Sequence, residues 1–337
     1  MMTQKSVMVF IEQSDAKIAD VSLELVCRAK ALADPLNVPV EAVAVGYGMS
    51  DQLDVLGHYG CDTVYCVEDK RLAHFTSVPY AKIAAGIIKK YKPQIVLFGA
   101  TTNGRDVAPR IASELKCGLT ADCTELKIGE YRIKDHVWKK TLMQIRPAFG
   151  GNIIATIVSP ESMPSMATVR EGVMKMSRPD PSRKVKIQKE KCEIADSDFP
   201  TEVIEVVRKE SKVDLKSAKI IVSAGMGVST PEAMQKVREL ADVLGAEIGC
   251  SRAVVDAGLL CSDHQVGQTG TTVRPNLYIA CGISGQIQHR AGMAESKRII
   301  AINSDPNAPI FEIAHYGIVG DVNDVVPKMI NAYKAKA

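Results

Sequence analysis

Leu277-Tyr-Ile-Ala-Cys-Gly-Ile-Ser-Gly-Gln-Ile-Gln-His289 is the stretch on which the fold of this 337-residue chain turns. An apolar run of strand character, Leu277 to Cys281, breaks into a turn bearing Gly282 and Gly285, and the turn opens a helix. Glycine lets a backbone approach a ligand with no Cβ in the way. The free N–H groups at a helix start suit a phosphate placed in such a turn. Strand, glycine turn and helix start together outline a dinucleotide site. The turn lacks the full G-x-G-x-x-G spacing, so the outline has to be supported by what surrounds it.

Downstream, Ile299–Asn303 reads as the next strand. Asn303 ends it about one β-α unit after Gly282, where dinucleotide folds reach the adenosine ribose. Asp321 is expected to end the strand after that. Upstream, Lys219–Ser223 is a strand leading into Gly225-Met-Gly227. Thr230 then stands as an N-cap, Pro231 fits the first helical position, and the helix runs to Leu244 before Gly245. The glycine pair is a second candidate phosphate contact. A short strand around Ile248 precedes Ser251-Arg252, an arginine that serves either a surface acid or a ligand. Gln265-Val-Gly-Gln-Thr-Gly270 offers a loop with close backbone approach at Gly267 and a hydroxyl at Thr269.

A chain of this length is expected to divide into two domains, 1–210 and 211–337, with the junction near Ser211. Hydrophobic content of 46% and charged content of 24% are ordinary for a globular protein. A net charge of +3 gives no reason to expect nucleic acid or an anionic membrane as partner. No apolar run approaches the roughly 20 residues of a membrane span. Glu12 and Asp15 come too early for a secretory segment, so a cytoplasmic protein is expected. Nine scattered cysteines without a C-x-x-C pair speak against an iron–sulfur cluster, a zinc ribbon or a disulfide framework. No metal is expected.

The first two hundred residues alternate short strands with amphipathic helices. The strands are Val7–Glu12, Val40–Val45, Thr63–Val67 and Gln94–Gly99. The helices are Ala16–Ala33, Ser50–Tyr59, Val78–Tyr91 and Arg105–Leu115. Such alternation implies a parallel sheet with helices on both faces. Over 124–157 the pattern changes to antiparallel strands, with a hairpin placed near Gly129-Glu130. Gly99–Asp106 reads either as a phosphate-holding turn or as a tight turn in which Asp106 caps or salt-bridges locally, and the second is favoured. The proline-rich, charged run from Arg178 to Asp198 reads as exposed chain, and Val203–Val207 as one more strand of the first domain.

Ser251-Arg-Ala-Val-Val-Asp256, Gln265–Gly270, Cys281-Gly-Ile-Ser-Gly-Gln-Ile-Gln-His-Arg-Ala-Gly-Met293 and Ala308-Pro-Ile-Phe311 occur in the order found in the electron-transfer flavoprotein alpha subunit. The chain resembles that family over essentially all of residues 217–337. The likeness continues more loosely through Phe98–Asp106, Gly118–Cys123 and Arg146–Asn152. It implies an α/β fold of two domains: an N-terminal parallel-sheet domain, nucleotide-binding-like with an antiparallel extension, and a C-terminal doubly wound domain that binds FAD. By the resemblance, Ser251 and Arg252 lie at the flavin, with the guanidinium against the ring, where a fixed cation favours the reduced, negatively charged flavin over the neutral oxidised form. Val266 and Gly267 bring the loop to the ring, Thr269 donates to flavin N5, and Gln268 holds the ring and its side chain. Ser284, Gly285, Gln286, Ile287 and Gln288 fall to the pyrophosphate, His289 to the flavin C2 carbonyl, and Asn303, Asp321 and Val322 to the adenosine half. Two departures stand out: Met226 where many members have an arginine, and His315 where an aspartate is usual.

The resemblance further implies a heterodimer with an electron-transfer flavoprotein beta subunit, which carries AMP or a second FAD, while the alpha subunit's first domain holds no nucleotide and serves the interface. Electrons would come from a flavin-containing acyl-CoA dehydrogenase, as in fatty acid oxidation. They would pass to a quinone reductase, a ferredoxin or a flavodoxin, with NADH-dependent electron bifurcation as a further mode. Two other readings stay open: an independent NAD-dependent oxidoreductase, which needs an acid/base pair that the six histidines do not supply in sequence, and a structural subunit with a vestigial flavin site.

Overall fold

A computed structural model describes residues 5–14, 17–148, 153–207 and 213–335, which fold as two compact units, Met1–Val206 and Val207–Ala337. The junction expected between 210 and 211, and the end of the Arg146–Asn152 motif, lie outside the described residues.

The first unit is built on a seven-stranded parallel sheet in the order Lys186–Lys189, Thr63–Glu68, Val40–Gly46, Val7–Ile11, Ile95–Gly99, Ser165–Val169, Leu119–Cys123. Val7–Ile11 and Ile95–Gly99 are buried at every position, as continuous apolar strands covered on both faces must be. Helix Asp20–Leu36 covers one face, and helices Ser77–Tyr91 and Thr102–Leu115 the other. Strands Glu125–Ile133, His136–Ala148 and Ile153–Ile157 form the antiparallel extension.

Four local expectations need correction. The hairpin turns at Lys134-Asp135, with Lys134 at φ 51°, and not at Gly129-Glu130. Gly129 instead lies at a bulge, where a Cβ would stand 2.4 Å from the Met143 sulfur. The helix expected over Ser50–Tyr59 is a 3₁₀ turn, Ser50–Gln52, followed by one α turn, Val55–His58. Its intended cap is spent elsewhere, because the Ser50 hydroxyl donates to Glu68 at 2.5 Å. Lys186–Lys189, inside the charged run, is an edge strand paired with Thr63–Glu68. Val203–Val207 pairs with no strand among the described residues, and Ile204 is 94% exposed.

The second unit is a five-stranded parallel sheet in the order Glu247–Cys250, Ile220–Ala224, Leu277–Cys281, Ile299–Asn303, Tyr316–Val319. The chain starts at Ile220–Ala224, moves outward to Glu247–Cys250, then crosses to Leu277–Cys281 on the other side. The strand order therefore reverses between Ile220–Ala224 and Leu277–Cys281, and in doubly wound sheets ligands bind in the crevice at that reversal. Helices Pro231–Leu244 and Val322–Lys334 cover one face. Tyr278, Val266 and Ile283 belong to the core of the other. The first helix ends where its residues dictate: Thr230 Oγ1 accepts from Ala233 N, Pro231 opens it, and Gly245 closes it at φ 60°. No helix among the described residues is long and apolar enough to cross a membrane.

Candidate functional site

Register places Cys250, Ala224 and Cys281 level with one another at the carboxyl ends of their strands. The loops that leave these ends carry the residues singled out in the sequence. Ser251 is tied back to the sheet by its N–H on Ala224 O at 2.9 Å, and Arg252 follows at the start of a single turn. The Arg252 side chain is 67% exposed, with a loose 3.5 Å pairing to Asp256.

The Gly225-Met-Gly227 loop does something the sequence did not reveal. Gly225 N donates to Cys281 O at 2.8 Å, and Gly227 N to Gly282 O at 3.0 Å. A Cβ on Gly225 would stand 2.2 Å from Gly282 O, and one on Gly227 would stand 2.7 Å from Gly282 Cα. The glycines thus interlock two loops, and their N–H groups are spent on protein carbonyls. Gly285 serves close packing as well: at φ 86°, its Cβ position lies 2.3 Å from Ile310 N, in a turn where Ile310 N donates to Ser284 O.

The N–H groups of the next stretch are different. From Ile283 to Gln288, none donates to a protein acceptor among the described residues, although the flanking Gly282 and His289 N–H groups do. The helix expected to follow is a single turn, Ile287–Arg290, so the donors come from the bent backbone on either side of Gly285. Successive main-chain donors in such a bend form a concavity for an anion.

A second loop closes over this one. Gln268 N donates to Gln288 O at 2.7 Å, and Val266 N to Cys250 O at 2.9 Å. Gly267, at φ 145°, has its Cβ position 2.9 Å from Gln288 O. Thr269 Oγ1 accepts from Gln265 Nε2 at 2.9 Å, which leaves the hydroxyl proton to donate outward. Gln268 and Thr269 are exposed, as are Ser284, Gln286 and Gln288.

His289 is buried beneath both loops. Its Nε2 lies 3.0 Å from the Tyr278 hydroxyl, while Nδ1 is buried without a hydrogen-bond partner. Burial pushes the imidazole down to about 4, with the Val266 carbonyl opposing, so the ring is neutral near pH 7. Tyr278 was absent from the expected site. The signal was available in principle, since a phenol inside the apolar run Leu277–Cys281 needs a partner once buried.

Asn303 and Asp321, expected on the adenosine side, are partly committed to the protein itself. Asn303 Nδ2 donates to Ile283 O at 2.9 Å and its Oδ1 accepts from Asp305 N at 2.9 Å, stitching the ends of adjacent strands. Asp321 does not end the strand Tyr316–Val319. It stands two residues beyond, as the N-cap of Val322–Lys334, accepting from Asn323 N at 2.7 Å, with Val322 buried behind it. His315, one of the two departures, accepts from Ile299 N at 3.1 Å and so caps the start of a sheet strand.

Open main-chain donors, outward hydroxyls at Ser284 and Thr269, an exposed guanidinium and a buried unpaired imidazole nitrogen all fit a large anionic cofactor with a polar ring. No group of three or more metal-ligating side chains occurs among the described residues. A doubly wound sheet with such a crevice at its strand reversal defines a dinucleotide-binding protein.

Comparison with known proteins agrees. Residues 7–194 match the electron transfer flavoprotein domain, and residues 214–294 the electron transfer flavoprotein FAD-binding domain. The electron transfer flavoprotein subunit alpha of Thermoanaerobacterium thermosaccharolyticum is 49% identical, over 98% of both chains. The acryloyl-CoA reductase electron transfer subunit beta of Anaerotignum propionicum is 40% identical, over 98% of this chain and 96% of its own. Subunit LctC of the lactate dehydrogenase (NAD(+),ferredoxin) of Acetobacterium woodii is also 40% identical, over 97% of this chain and 76% of its own. The chain belongs to the electron transfer flavoprotein alpha subunit family, whose members bind FAD and transfer electrons as one subunit of a heterodimer with a beta subunit.

Proposed function

We propose that the chain holds one FAD in its second unit and passes electrons singly between a flavin dehydrogenase and a downstream acceptor. The observation that carries this reading is the run of unspent N–H donors from Ile283 to Gln288, bent around Gly285 at the sheet's strand reversal. Ser284, Gly285, Gln286, Ile287 and Gln288 hold the pyrophosphate there. Val266, Gly267, Gln268 and Thr269 face the ring, with the Thr269 proton free to donate to flavin N5. Ser251 supports Arg252, whose charge biases the ring toward electron-rich states. His289 serves the C2 carbonyl, and Asn303, Asp321 and Val322 the adenosine half. When bound, the flavin supplies the redox chemistry, and the protein sets orientation, access and potential.

The first unit serves the heterodimer without a nucleotide of its own. At its own strand reversal, beside the Gly99–Asp106 turn, stands Glu12. This residue is 7% exposed, bonded to Thr101 at 2.6 Å, and its Oε1 has no partner. A buried carboxyl there opposes a phosphate. The turn itself is closed locally, by Thr101 capping onto Gly104 N at 2.9 Å and by Asp106 pairing with Arg110 at 3.0 Å.

The electron donor is a flavin-containing dehydrogenase of the acyl-CoA type, and the acceptor a quinone reductase, ferredoxin or flavodoxin, in the cytoplasm. The name of the Acetobacterium woodii relative, with both NAD(+) and ferredoxin, favours a bifurcating setting in which the beta subunit carries a second FAD. The test is a flavin count on the heterodimer purified with its beta subunit, alongside Ser284→Asp. A carboxylate among the donors is expected to expel the FAD of this chain and leave any other flavin in place. Unchanged FAD in Ser284→Asp would put the pyrophosphate elsewhere, and a single flavin in the wild type would exclude bifurcation.

A further inference from the structure

Tyr278 lies on the central strand Leu277–Cys281, fully buried, with its side chain in the apolar core on the face opposite the two long helices. A phenol sealed in such a core must donate its proton to something, because an unpaired buried hydroxyl is costly. Its bonded neighbour is His289 Nε2, at 3.0 Å; the buried Ser223 hydroxyl also lies beside the phenol but makes no hydrogen bond to it. An imidazole nitrogen that accepts a proton's hydrogen bond carries no proton itself, so a neutral His289 must carry its proton on Nδ1. That nitrogen is buried and forms no hydrogen bond, although the Val266 carbonyl lies close enough to the ring to oppose the fall in its pKa. The ring is held where the two cofactor loops meet: the Gly267 Cβ position lies 3.4 Å from His289 Cα, and Gln268 N is bonded to the carbonyl of Gln288 just before it.

We propose that Tyr278 is a positioning residue of the flavin site: its hydroxyl, donating to His289 Nε2, fixes the Nδ1–H tautomer and the ring orientation, so that Nδ1–H is the donor offered to the cofactor. Tyr278 itself touches no ligand. It acts through the histidine, as the outer partner of a metal-bound histidine sets which ring nitrogen faces the metal. A tautomer imposed from behind costs nothing to reorganise when negative charge arrives on the flavin, so the donor strengthens in the reduced state more than in the oxidised one. The proposal rests on the reading that the flavin ring lies over the Val266–Thr269 loop.

Two measurements separate the proposal from that reading. In the FAD-stripped heterodimer, ¹⁵N shifts of labelled histidine, assigned with His289→Asn, report which ring nitrogen is protonated without any flavin. A protonated Nδ1 and bare Nε2 are expected in the wild type, with the preference lost or mixed in Tyr278→Phe. A protonated Nε2 in the wild type would overturn the proposal outright. In the FAD-loaded heterodimer, Tyr278→Phe is expected to shift the reduced-to-oxidised affinity ratio for flavin about tenfold toward the oxidised form, or about 30 mV for the two-electron couple. The shift should vanish when Tyr278→Phe is made in a His289→Asn background. A shift that persists there would mean that Tyr278 acts by packing, and the positioning role falls. If His289→Asn alone leaves the potential unmoved, the flavin ring is not at His289, and the reading beneath the proposal fails while the tautomer result stands.

Discussion

On the proposed function, Arg252 and Met226 are the two residues whose charge bears most on the flavin. The Arg252 guanidinium, 67% exposed and loosely paired with Asp256, gives up little by turning to a ligand, because exposed ion pairs contribute about 0–1 kcal/mol. Arg252→Ala is therefore expected to lower the flavin midpoint potential, with about a tenfold loss in preference for reduced flavin, roughly 1.4 kcal/mol. A spectroelectrochemical titration reads this directly, and an unchanged potential would assign Arg252 to Asp256 alone. Met226 is 46% exposed on its loop, so Met226→Arg has room to place a cation beside the proposed phosphate site. Fluorescence titration should show FAD binding several-fold tighter, by about 1 kcal/mol for a solvent-facing charge on phosphate. Arg252, Gln268, Thr269 and Ser284 stand out in the sequence because each belongs to a short local motif. Tyr278 is harder to read, since its hydrogen bond reaches across 11 positions to a histidine on another element, and only its place in an apolar run points to it.

At the scale of elements, the same distinction between local and distant causes sorts what was legible. Helix Pro231–Leu244 was read to the residue because cap, first proline and closing glycine act within their own turns. Thr230→Ala should cost about 1 kcal/mol in a urea titration. The interlocked glycine loops at 225–227 and 282 were read as a phosphate contact, yet each glycine is required by backbone on the other loop. Gly282, at φ 63° with Gly227 Cα 2.7 Å from its Cβ position, has two reasons to resist a side chain. Gly282→Ala should destabilise the second unit by about 2–4 kcal/mol and cost FAD affinity as the crevice opens. Were it as stable as the wild type, the interlock would be slack. The misplaced hairpin has the same cause: Gly129 is needed by Met143 on the neighbouring strand, not by a turn. Val203–Val207 shows the converse, an apolar-rich segment that cannot supply its own neighbouring strand.

At the scale of the whole molecule, the two units carry buried ionisable groups of opposite pH sense. His289 in the second unit is held neutral and pushed down to about 4. Unfolding below its ordinary value near 6.5 lets it take up a proton, so its contribution is intact above 6.5 and is lost as pH falls toward 4. From 6.5 to about 4 the loss amounts to about 3 kcal/mol. Glu12 in the first unit is shifted upward, mainly by burial, with Thr101 pulling it down and Glu171 adding to the rise. The folded state then holds a proton that the unfolded chain releases, so this unit gains stability as pH falls through the raised value toward 4.5. Carboxylates held low in the same unit by hydrogen bonds, such as Asp69, Asp106 and Asp198, lose their contribution only at or below the ordinary carboxylate range. Between about 6.5 and 4.5 the second unit therefore weakens while the first does not. Calorimetry on the FAD-free chain, where no cofactor masks the effect, should show two transitions moving apart as pH drops from 7 to 5. The second-unit transition should fall, and in His289→Gln it should stay in place. Equal separation in His289→Gln and the wild type would mean that the acid sensitivity lies outside this histidine, and that its burial as a neutral ring is not what ties the second unit's stability to pH.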